Sequence, residues 1–83
     1  MNEFAPFLRR HFPFALVVAD KVIEQGEATH RPYDWRELGY AGNMARVSAH
    51  LALLAQGDKS EDHLAHSVCR LLCALDCRER GIP

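Results

Sequence analysis

The sequence predicts an all-α fold: a small three-helix bundle with a short N-terminal helical turn, forming one domain over residues 1–83. Three observations carry this reading. Apolar residues recur at spacings of three and four in three separate segments. No stretch alternates apolar and polar residues for long, and no Asn-Gly or Asp-Gly pair marks a hairpin. A chain of 83 residues, 48 % hydrophobic and 25 % charged, suits one small core.

The elements follow in order. Residues 1–12 carry Phe4, Phe7, Leu8 and Phe12, too apolar for a free tail, and read as a short helical turn packed on the core or on a neighbour. A first helix starts near Pro13, whose fixed φ suits a first turn, presents Phe14, Val17, Val18 and Val22 on one face, and stops at Gly26. Residues 27–40, with Pro32 and Gly39, read as an ordered loop pinned by Tyr33 and Trp35. A second helix from about Tyr40 to Gln56 spaces Met44, Val47, Leu51 and Leu54 by three, four and three, with Gly57 past its end. The third helix takes Ser60 as N-cap, places Glu61 and Asp62 in the first turn where the helix dipole favours them, and runs to about Arg80 before Gly81.

That third helix is apolar on two sides. Leu64, Val68, Leu71, Leu72 and Leu75 fall in one stripe about 100° wide, assigned here to the domain core. Asp62, His66, Cys69, Cys73 and Cys77 form a second stripe nearly opposite, which predicts a twofold subunit interface. A domain this short buries only about 60 % of its unfolded surface, so a homo-oligomer is expected. Three cysteines within nine residues cannot complete a disulfide framework and read as reduced, small apolar side chains rather than a zinc site or a nucleophile.

Charge and hydropathy exclude other classes. Ten Lys and Arg against eleven Asp and Glu give a net charge of −1, so nothing obvious carries the phosphate attraction of a nucleic-acid protein. The longest apolar run, Phe12 to Val18, is broken by Pro13 and far too short to span a membrane. No secretory signal pattern is present, and a cytoplasmic location is expected.

The densest polar cluster is Asp62, His63 and His66, with His50 available from the preceding helix. Spacings of three and four place such side chains on one helical face, where they could hold a divalent cation or nucleotide phosphates; equally, Asp62 serves the helix dipole and the histidines are simply exposed. Trp35 could stack on a nucleobase or plug the end of the core. Arg36, Arg46 and Arg70, with Arg31, could grip phosphate or pair with Asp34 and Glu37 on the surface. No Walker loop, dinucleotide glycine fingerprint or Ser/His/Asp signature occurs.

The order of these landmarks adds a further indication: a Gly ending a helix, an AspTrpArg loop, HisLeuAlaLeuLeuAlaGlnGlyAsp closing the next helix, then AspHisLeuAlaHisSerValCysArgLeuLeuCysAlaLeu. Over roughly residues 15–78 this resembles the N-terminal domain of the phage and bacterial dATP/dGTP diphosphohydrolase family. The resemblance implies an all-helical site, a divalent metal such as magnesium or manganese, and hydrolysis of purine deoxynucleoside triphosphates. It carries over to Trp35, His50, Asp62, His63 and His66. Ala49 and Arg70 stand where the family has an arginine and an asparagine. Two function classes result. One is a phage-type purine-nucleotide-binding protein with a divalent metal at His50, Asp62, His63 and His66. The other is a non-enzymatic oligomeric interaction protein, an anti-defence factor of anti-CRISPR type that blocks a host defence protein or sequesters its nucleotide signal.

Overall fold

A computed structural model describes residues 4–83. Four α-helices follow one another, α1 Pro6–His11, α2 Pro13–Thr29, α3 Trp35–Ala55 and α4 His63–Arg80, with no strand among the described residues. The all-α bundle and its short N-terminal turn are as the sequence predicts. Helix α4 is central: its principal packing is against α3, α2 lies along it more lightly, and α1 rests on α2. No helix is long and apolar enough to cross a membrane among the described residues. Residues 1–3 of the N-terminal segment lie outside the described residues.

Helix α2 begins at Pro13 as expected but passes through Gly26. A glycine inside a helix costs about 1 kcal/mol relative to alanine, which neighbouring turns can carry. The Gly26 carbonyl accepts from the His30 amide at 2.9 Å and from the Thr29 hydroxyl at 3.2 Å. The stop comes instead from Pro32, since the residue before a proline is pushed away from helical backbone angles.

Helix α3 starts at Trp35, five residues before the expected Tyr40, because Gly39 kinks the helix without ending it. Gly39 has φ 67° and ψ −171°, a conformation that disfavours any side chain. The kink exposes backbone groups that must find partners. Tyr40 and Ala41 donate their amides to the Ile82 and Pro83 carbonyls, at 3.3 and 3.0 Å. The buried Asn43 side chain donates to the Trp35 and Gly39 carbonyls, at 2.9 and 2.7 Å. A Cβ on Gly39 would lie 2.8 Å from the carbonyl carbon of Pro83.

Helix α4 begins at His63, with Asp62 rather than Ser60 as its N-cap; the Asp62 carboxylate accepts from the Ala65 amide at 3.0 Å. Its end is the expected one, Gly81 in the left-handed region. The larger correction concerns its two stripes. Ala65, Cys69, Cys73, Ala74 and Cys77 are buried, while Leu64, Val68, Leu71, Leu72 and Leu75 are all 39–60 % exposed. The cysteine side is therefore the core seam within the chain, not the subunit contact, and the leucine stripe is not the core. Small side chains explain the inversion, since they let three helix backbones approach closely around α4. The Cys69 thiol reaches the Ala19 carbonyl of α2 at 3.4 Å, and Asn43 of α3 lies beside Cys77.

Candidate metal centre and ligand cleft

Two neighbouring features could do chemistry. At one end of the α3–α4 pair, the segment 57–62 folds back so that the end of α3 meets the start of α4. His50 comes from α3, His66 from α4, and Glu61 from the residue just before the Asp62 cap. Each can offer one ligand atom, and these atoms lie within 4.8 Å of one another. The Glu61 carboxylate is 3.4 Å from His50 Nδ1 and 4.0 Å from His66 Nδ1. The His50 and His66 rings stack with centroids 5.2 Å apart.

A chain of hydrogen bonds through the buried His63 supports this cluster. Asp58 Oδ2 accepts from the Ser60 hydroxyl at 2.5 Å and its amide at 3.3 Å, and lies 2.5 Å from His63 Nε2. His63 is almost wholly enclosed, and its Nδ1 is 2.9 Å from His50 Nδ1. A carboxylate only accepts, so His63 donates from Nε2 to Asp58, and the His63 and His50 Nδ1 atoms share one hydrogen bond whose direction is set by the tautomers. Desolvation by burial lowers the His50 pKa, helped by His66, His63 and Arg70 and opposed by Glu61. Hydrogen bonds from His63 and Ser60 hold the Asp58 carboxyl below its ordinary range. The lowered His50 pKa favours the neutral imidazole, the form that can bind a metal.

The second feature is a cleft of about 380 Å³ between the C-terminal half of α2, the segment 30–35 and α4. Its walls include Val22, Ile23, Tyr33, Trp35, His66 and Arg70. His66 belongs to both features and joins them. Arg70 is aimed by Asn43, whose Oδ1 accepts from its guanidinium at 3.1 Å. The same buried asparagine thus braces the Gly39 kink and holds Arg70, which lines the cleft together with Arg31.

The structure sorts the candidate residues. His50 and His66 come together as expected. Asp62 is spent as the helix cap, and the buried His63 is engaged by Asp58 and His50, with its Nδ1 3.9 Å from the Glu61 carboxylate. Glu61 takes the carboxylate place. Sequence reasoning placed it in the first helical turn because Ser60 and Asp62 are both good caps; choosing Asp62 would have put Glu61 outside the helix and free to turn back. Trp35 and Arg70 share the cleft. Trp35 opens α3 and is not a loop residue, and it is half-buried. Arg36 lies over the Tyr33 and Trp35 rings, 4.4 and 5.2 Å from their centroids, as a packing cation. Arg46 is exposed on α3 and is not part of the cleft wall.

Burial pushes the Cys73 thiol up to about 11 and raises that of Cys69. Such thiols are poor nucleophiles at neutral pH. No family model, curated protein or solved structure matches the chain.

Proposed function

We propose that the protein binds a purine nucleotide with the help of a divalent transition metal. The metal is held by His50, Glu61 and His66, the phosphates lie between it and Arg70, and the base lies along Trp35. One observation carries this reading: two imidazoles and a carboxylate converge within 4.8 Å at the edge of a cleft that also carries Arg70, held by Asn43. A nitrogen-rich set of this kind suits manganese or zinc better than magnesium, which favours oxygen ligands. Three protein ligands leave coordination positions for phosphate oxygen and water, and a metal so placed polarises a phosphoryl group and lowers the pKa of bound water. The cleft volume lies within the range of small-molecule sites. The resemblance to the dATP/dGTP diphosphohydrolase family points to the same ligand class, with Glu61 in place of Asp62 among the ligands.

Trp35 is the only tryptophan in the chain, so its fluorescence reports directly on the cleft. Adding dATP or dGTP with Mn²⁺ should quench it saturably. Trp35→Ala should weaken binding by about 1 to 3 kcal/mol, the range for a base stacked on an aromatic ring. Emission indifferent to every purine nucleotide, with and without metal, would remove the reading. Product analysis of the same mixtures separates the two classes: released phosphate or diphosphate makes the protein a hydrolase, whereas tight binding without product makes it a sequestering, anti-defence type of protein.

A further inference from the structure

The core of this chain is too small for its surface. Among the described residues the buried apolar ones are Ala19, Val47, Ala65, Cys69, Cys73, Ala74 and Cys77, with no leucine, phenylalanine or isoleucine. A folded chain of 9.4 kDa exposes about 5,000 Å²; this one exposes 6408 Å². The difference, about 1,400 Å², exceeds the roughly 800 Å² per partner of a standard protein interface.

That surface is spread over exposed apolar side chains of α1 and α2, such as Phe7 and Phe14, as well as α4, and the α4 face has the regular spacing of a helix seam. Leu64, Val68, Leu71 and Leu75 follow at spacings of four, three and four, the a/d register of a helix seam, with Leu72 beside them. No charged residue falls on that arc between Leu64 and Leu75. The core of the chain and the ligand cleft both lie on the other side of α4, where Cys69, Cys73, His66 and Arg70 point. We propose that this face packs against the same face of a second copy of the chain, α4 antiparallel to α4 about a twofold axis. Antiparallel pairing sets Leu64 of each copy opposite Leu75 of the other and Val68 opposite Leu71, so that every layer is apolar. Parallel pairing would carry the seam on to Arg78 against its own copy. The helix dipoles also favour the antiparallel arrangement. This dimer leaves both ligand clefts open and does not depend on what they bind.

Sedimentation of the full chain across 1–100 μM tests the proposal. The expected species has twice the chain mass. Leu71→Glu should raise the dissociation constant at least 100-fold, while Phe7→Ser, on the exposed apolar face of α1, should leave it unchanged. A wild-type monomer at 100 μM overturns the proposal, as does a dimer that survives Leu71→Glu or one abolished by Phe7→Ser. Should Leu71→Glu lose its helical circular dichroism, the double variant Leu64→Cys/Leu75→Cys decides, since these positions lie too far apart on one helix to bond within a chain. The native thiols are buried, so mild oxidation should give a covalent dimer through the new cysteines, and a product that stays monomeric counts against the pairing.

Discussion

Asn43 does more than any other single residue to connect fold and site. Its amide nitrogen satisfies two carbonyls at the Gly39 kink, and its oxygen holds Arg70. Asn43→Leu removes all three bonds and leaves those partners without their donor or acceptor, so it should cost about 2 to 4 kcal/mol by urea unfolding. Nothing in the sequence marks Asn43, because its role depends on a kink that local propensity places in a loop. The histidines were easier to find, since their spacing is local; their division of labour depends on Asp58, three residues beyond the end of α3 at Ala55. Asp58→Asn lets an amide donate where a carboxylate accepted. It should therefore disturb the His63 and His50 tautomers and weaken metal binding by about 10- to 100-fold, with helicity unchanged in circular dichroism. The same residues set a pH dependence. His50 has a lowered pKa in the folded chain, so the unfolded state takes up the proton first. Stability falls as pH drops below the ordinary histidine value of about 6.5 and levels off under the folded pKa. Asp58, also lowered, adds a second loss as pH falls below its ordinary carboxylate range. Urea midpoints measured between pH 8 and pH 3 should show both steps, and His50→Gln should abolish the first.

At the scale of elements, the three long helices and the N-terminal turn were legible because apolar spacing, Pro13 and Gly81 are local signals. The start of α3 was not, because Gly39 reads as a breaker until its flanking backbone groups are supplied with partners by Ile82, Pro83 and Asn43. Gly39→Ala should destabilise the fold by at least about 2 kcal/mol, from the strained left-handed backbone and the close approach to Pro83 together. The orientation of α4 was misread for a different reason. Hydropathy ranks leucine above cysteine and alanine, but close helix packing selects small side chains, and a single short chain cannot cover both sides of its central helix. Thiol modification reports this orientation. In the native protein Cys69, Cys73 and Cys77 should react with a thiol reagent at least about 100-fold more slowly than in urea, since each is buried and a thiolate is needed. Fast labelling of all three in native buffer would place the cysteines outside the core.

Over the whole molecule, the central helix divides the labour. One side of α4 forms the core and the wall of the cleft, its first turn contributes His66, and its outward face is left apolar. That arrangement makes the metal site the joint product of α3, the 57–62 connection and α4, so metal binding should stabilise the fold by mass action. The central claim is that His50, Glu61 and His66 together hold one divalent transition metal. It is tested most directly by calorimetric titration of the metal-free protein with Mn²⁺ and Zn²⁺, alongside His66→Ala and Glu61→Gln. Saturable binding of one ion per chain, lost in both variants while their helicity is retained, is the predicted result. A wild-type chain that binds neither ion, or variants that bind as well as the wild type, would contradict it.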